Sequence, residues 1–95
     1  MVEADRTVAR RVVARGRVQG VFFRASAQDQ AQHSGVVGWI RNRADGAVEA
    51  WLEGPPGAVD ALEQWIRDGG PPRAHVEDVE VVAETPAGHV RFEAR

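Results

Sequence analysis

The chain of 95 residues contains no cysteine, no lysine and no tyrosine, and only one methionine. Without cysteine there is no disulfide framework, no thiolate metal site and no thiol nucleophile. Without lysine the Gly-Lys-Ser/Thr ending of a Walker A loop cannot occur, and no Rossmann glycine pattern takes its place. Serine is confined to Ser26 and Ser34, neither inside a Gly-x-Ser-x-Gly elbow. The histidines His33, His75 and His89 fall in different elements at no metal-ligand spacing, and no acidic pair stands apart as a hydrolase dyad. No metal and no cofactor are therefore expected. No run approaches the roughly 20 apolar residues that span a bilayer, and the charged start Met1-Val2-Glu3-Ala4-Asp5-Arg6 lacks the apolar centre of a signal peptide. These absences predict a soluble cytoplasmic protein with one domain over residues 1–95, of which 1–6 form a loose extension. A chain of this length buries roughly 60 to 65% of the surface it exposes when unfolded, enough for one modest core.

What charge there is lies unevenly. Residues 1–43 hold eight arginines against three acids, and residues 44–95 hold four against eleven, giving +5 and −7. A positive first half favours anionic ligands, phosphate or nucleic acid among them. The remaining acids are spread along predicted faces as solvated surfaces show, and Trp39, Trp51 and Trp65 fit packing better than a stacking platform.

Periodicity predicts six main elements. Residues 7–15 form a strand with Val12 and Ala14 toward the core. A helix from about residue 22 to 34 carries Phe23, Ala27 and Ala31 on one stripe and stops at Gly35. Strands over 36–42 and 47–53 flank an Arg43-Ala44-Asp45-Gly46 turn, with Val48, Ala50 and Leu52 alternating against Glu49, Trp51 and Glu53. After Gly54-Pro55-Pro56-Gly57, Val59, Leu62 and Ile66 mark a second helix, which ends at Gly69-Gly70-Pro71-Pro72. A strand over 75–83 and a short one holding Val90, Phe92 and Ala94 close the chain. The order βαββαβ with right-handed crossovers predicts an α+β, ferredoxin-like sandwich: an antiparallel sheet with two helices on one face.

The stretch Gly16-Arg17-Val18-Gln19-Gly20-Val21-Phe22-Phe23-Arg24 joins the first strand to the first helix. Two glycines able to take positive φ let the backbone curl and aim N–H groups inward, and the helix start adds unpaired donors and partial positive charge. Arg24 contributes a planar fork suited to phosphate or carboxylate. Spacing alone leaves open a plain glycine turn beside a solvated arginine.

This loop closely resembles the signature of the acylphosphatase family. Gly38-Trp39-Ile40-Arg41-Asn42, followed by Gly46, Val48 and Gly54, is similar to that family's second motif, and the resemblance runs from about residue 8 to 95. It implies the same fold and an enzyme that hydrolyses the carboxyl-phosphate bond of acyl phosphates. It implies that Arg24 binds the substrate phosphate and that Asn42 positions the attacking water. The amides of Val18, Gln19, Gly20, Val21, Phe22 and Phe23 would cradle the phosphoryl oxygens. The expected partner is a small-molecule acyl phosphate, bound by a monomer, with no nucleic acid and no membrane. Two departures are slight: Ala44 stands where a proline is often seen, and the N-terminus is a few residues longer.

The missing nucleophile, metal and general base agree with that substrate, whose carboxylate leaving group departs without protonation. Positioning and charge stabilisation are what remain for the protein to supply. Two other readings compete. One is a binding module, either for RNA through the open sheet face or as an acylphosphatase-like regulatory domain without turnover, and the RNA form lacks RNP-like aromatic motifs with basic neighbours. The N-terminal domain of a larger maturation enzyme would be expected to continue beyond the last strand and to carry zinc-ligand cysteines. The expectation is a small hydrolase standing alone.

Overall fold

Alternating small and β-branched residues in β1 (Val8–Arg17) send Val12 and Ala14 to one side of a sheet and Arg11, Val13 and Arg15 to the other. The computed structural model describes residues 6–95, so apart from Arg6 the expected loose extension lies outside the described residues. After β1 come α1 (Phe23–Ser34), β2 (Val37–Asn42), β3 (Val48–Gly54), α2 (Pro56–Arg67), β4 (His75–Glu84) and β5 (Phe92–Ala94). The sheet order is β4-β1-β3-β2-β5. The ferredoxin-like α+β arrangement is as expected, with one difference in the sheet. Four strands pair antiparallel, but β5 runs parallel to β2, with Phe92 opposite Gly38. The cause is the connection over residues 85–91, which carries the chain from one edge strand to the opposite edge, where it arrives in the direction of β2.

Helices and sheet meet in a single apolar layer. Val12 and Ala14 of β1, Ile40 of β2, and Val48, Ala50 and Leu52 of β3 pack against the Phe23, Ala27 and Ala31 stripe of α1 and against Val59, Leu62 and Ile66 of α2. Side chains such as Ile40, Leu52 and Ile66 are almost wholly excluded from water. Each stabilises the fold by about 1.5–3 kcal/mol through burial. The alanines of α1 add little area but let the helix lie close to β2 and β5, and this brings its first turn over the end of the sheet.

The open face corrects the reading that the acids are all solvated. Glu49 and Glu53 are only 6% and 3% exposed. Glu49 Oε1 accepts from Nε of Arg41 at 2.9 Å, and its Oε2 faces Nη1 of Arg11 at 3.4 Å. Arg11 also donates to Glu84 at 3.0 Å. Glu53 is covered because residues 85–91 cross over it. Trp39 and Trp51 stack beside this ladder at 6.5 Å, while Trp65 packs edge-on to Phe23 at 5.7 Å.

Strand β1 leaves the sheet at a bulge. Register shifts between Arg15 and Gly16, and Gly16 takes φ 127. A Cβ there would collide with the carbonyl oxygen of His75 and come within 2.9 Å of the Glu77 amide nitrogen. Only glycine allows the two strands to stay this close while the chain turns into the loop before α1.

Candidate active site

The loop between β1 and α1 is held from three sides. Val18 and Val21 are buried in the core and anchor its base. Gly20 takes φ 74 and Phe22 takes φ 64 and ψ 24, so the backbone turns left-handed twice just before the helix. Gln19 donates from its carboxamide to the carbonyls of Arg43 at 2.8 Å and Ala47 at 3.0 Å. Those carbonyls belong to the turn after Asn42, so Gln19 fastens the loop to the hairpin that carries Asn42.

The N-terminus of α1 has no side-chain cap and no acid in its first turn. Its first hydrogen bond runs from the Ser26 amide to the Phe22 carbonyl at 3.0 Å, so the amides before Ser26 have no intrahelical acceptor. A cavity of about 470 Å³ opens at this point. Of the expected site residues, Val18, Gly20, Phe22, Phe23, Arg24 and Asn42 line it, and Gln19 and Val21 do not. Ala25, Gln28 and Ala94 also line it and were not expected. Gln28 could have been found, since it lies one helical turn beyond Arg24 on the same face. Ala94 carried no local signal, because its place depends on β5 pairing with β2.

Arg24 Nη1 donates to the main-chain oxygen of Arg95 at 2.7 Å. Its Nε and Nη2, one edge of the guanidinium, have no partner among the described residues. The Asn42 carboxamide is likewise exposed and without a hydrogen-bond partner among the described residues. The cavity wall contains one cation and no acid. A second hollow, bordered by Arg41, Arg43, Asp45 and Glu49, differs in this respect. There each arginine already faces a carboxylate, Arg41 against Glu49 and Arg43 against Asp45 at 3.1 Å. Asp45 is held below the usual carboxylate range, chiefly by the Ala47 amide that it accepts at 3.1 Å. Among the described residues, no three His, Cys, Asp or Glu side chains come together as metal ligands, and no helix is long and apolar enough to cross a membrane.

The uncapped helix start, a single arginine and a free carboxamide share one cavity at the end of a ferredoxin-like sandwich, which places the chain among small α+β proteins. The acylphosphatase family model matches residues 10–94. An acylphosphatase from Rubrobacter xylanophilus is 52% identical over 96 residues, covering 100% of this chain and 86% of that protein. One from Anaeromyxobacter dehalogenans is 54% identical over 93 residues, covering 97% and 98%. Among solved structures, an acylphosphatase from Coxiella burnetii superposes with a TM-score of 0.90 at 31% identity, covering 96% of this chain and 95% of that one. The chain belongs to the acylphosphatase family, hydrolases of acyl phosphates.

Proposed function

We propose that the phosphoryl group of an acyl phosphate is held by the loop amides of residues 18–23 and the free edge of Arg24, and that Asn42 orients the attacking water. The observation that carries this reading is the meeting of three unpartnered groups in one cavity: the uncapped start of α1, the guanidinium edge and the Asn42 carboxamide. A dianionic group satisfies the first two at once, by charge-assisted hydrogen bonds and by the helix dipole.

The water then attacks phosphorus in line with the bond to the acyl oxygen. That P–O bond breaks, its electron pair leaves on the carboxylate, and the water's proton passes to a phosphoryl oxygen of the substrate. The carboxylate needs no acid to leave, so the missing general acid is no obstacle. Asn42 cannot take the proton, because a carboxamide oxygen is scarcely basic, but its oxygen can accept a hydrogen bond that fixes the water. Arg24 and the amides stabilise charge that spreads over the equatorial oxygens in the transition state.

Arg24→Ala is expected to lower kcat/KM by about 1,000-fold and to abolish competitive inhibition by inorganic phosphate. Asn42→Ala is expected to lower kcat by about 100-fold while phosphate still inhibits, because the cradle stays intact. Phosphate inhibition of a folded Arg24→Ala protein at the unmodified strength would refute the assignment of Arg24. Full turnover by Asn42→Ala would refute that of Asn42.

A further inference from the structure

We propose that Phe22 is a specificity-determining residue whose ring forms the wall on which the acyl group lies, so that the site favours acyl phosphates with a flat aromatic acyl group. The inference rests on the preceding reading that the phosphoryl group sits at the loop amides and Arg24.

Nothing in the fold calls for phenylalanine at this position. Its side chain is 71% exposed, so it contributes little to the core. Its backbone is left-handed, at φ 64, where a residue with a Cβ is strained and glycine or asparagine is not strained or is less so. The neighbouring Phe23 meets the needs of packing, being 2% exposed and set edge-on to Trp65. An exposed ring that adds nothing to packing and sits on a strained backbone at the edge of a cavity is explained by what enters the cavity.

The space and chemistry of the cavity agree. A phosphoryl group of five heavy atoms, at about 30 Å³ for each water-sized atom, needs about 150 Å³. The cavity holds about 470 Å³, which leaves room for an acyl group of aromatic size. In an in-line displacement the acyl group departs on the side of phosphorus away from the water. Apart from the amides and side chains assigned to phosphate and water, the lining offers Ala25, Gln28, Ala94 and the side chain of Phe22, which is 71% exposed and engaged in no packing of its own. None of these carries a charge, and Phe22 alone presents a broad apolar face. A ring stacked on or set edge-on to Phe22 gains where an acetyl group cannot.

The test compares benzoyl phosphate with acetyl phosphate as the ratio of their kcat/KM values, in the unmodified protein, Phe22→Gly and Phe22→Tyr. Glycine removes the ring and accepts the backbone conformation, and any loosening of the loop lowers both substrates together without moving the ratio. The expected result is a fall of about tenfold in the benzoyl-to-acetyl ratio for Phe22→Gly and a ratio kept within about twofold for Phe22→Tyr. A ratio that stays within about twofold in Phe22→Gly, or that falls equally in Phe22→Tyr, would overturn the inference. The phosphate reading has its own readout in the same experiment. Failure of inorganic phosphate to inhibit the unmodified protein overturns that reading and this inference with it, whereas an unmoved ratio beside normal inhibition overturns the role of Phe22 alone.

Discussion

Replacing Glu53 with glutamine changes one oxygen to an NH2 group and little else, and the structure gives that change a definite cost. Glu53 Oε1 accepts from Nε1 of Trp51 and from the Ala87 amide, both at 2.9 Å. Its Oε2 accepts from the amides of Gly88 at 2.9 Å and His89 at 3.2 Å. Whichever way the glutamine amide turns, two donors face another donor. The less damaging choice points the NH2 toward Gly88 and His89, beside the exposed surface, where water can replace part of what is lost. Two lost bonds to a charged acceptor, offset in part by water, together with two bonds weakened from charged to neutral, amount to about 2–3 kcal/mol. For a domain of this size that lowers Tm by roughly 10–20 °C.

The pH dependence of stability gives a second and sharper readout. Burial raises the Glu53 pKa, but the Trp51 indole and the amides of Ala87, Gly88 and His89 outweigh it, and the net direction is below the ordinary 4.5. The unfolded chain therefore binds a proton at higher pH than the folded one. The contribution of Glu53 is fully present above about 4.5 and is lost as pH falls through the lowered folded value. Urea unfolding of Glu53→Gln should show a reduced free energy at neutral pH and a flatter decline below pH 4.5 than the unmodified protein shows. A loss under about 0.5 kcal/mol, or an acid limb of the same steepness in both proteins, would refute the account of how residues 85–91 are held.

Gln19→Ala removes the two bonds that tie the loop to the Asn42 hairpin. It should lower kcat by about tenfold with little effect on overall folding, read by turnover beside a thermal melt. A kcat within about twofold of the unmodified protein would show that the tie does not align the two halves of the site. The groups proposed to touch the reacting atoms are backbone amides, a guanidinium and a carboxamide, with no histidine and no carboxylate among them, so kcat should be flat between about pH 5 and 9. None of His33, His75 or His89 lines the cavity. A limb near pH 6.5 that vanishes when one of them is replaced would mean a histidine base after all.

Much of this fold is local in the sequence, and those parts were legible. The stripes of Phe23, Ala27, Ala31 and of Val59, Leu62, Ile66 mark faces that burial requires, and both became core. Gly35 ends α1 at φ 79, as a left-handed stop should. Glycines at 16 and 20, followed by an arginine, marked a loop with left-handed turns that lines a cavity with Arg24. What the sequence did not disclose depends on contacts between distant residues. Glu53 alternates with Leu52 like any solvent-facing residue, and only the passage of residues 85–91 over it makes it buried. The parallel pairing of β5, and with it Ala94 and the Arg95 oxygen at the cavity, follows from that same passage. Gln19 reads as one more loop amide until the hairpin turn is brought beside it.

The charge asymmetry of the chain also changes meaning on folding. The first half carries the surplus of arginine, yet most of that charge is cancelled by acids from the second half across neighbouring elements. Arg10 meets Asp60 and Glu63, Arg11 meets Glu49 and Glu84, Arg15 meets Glu80 and Asp78, and Arg41 meets Glu49. Arg17 and Arg73 face no acidic side chain among the described residues, and Arg24 meets the main-chain oxygen of Arg95 and no acidic side chain. Arg17 pairs through its backbone with His75 at the start of β4, two residues beyond Arg73, so both sit at the end of the sheet from which the loop emerges. Exposed charges separated by more than about 8–10 Å are largely screened at physiological salt, so an approaching anion responds to uncancelled charge close by and not to the sum over half the chain. The sheet thus absorbs the bulk of the arginine surplus as structure. What remains positive lies toward the end of the sheet that carries the start of α1 and the free edge of Arg24, the place where the proposed phosphate site needs it.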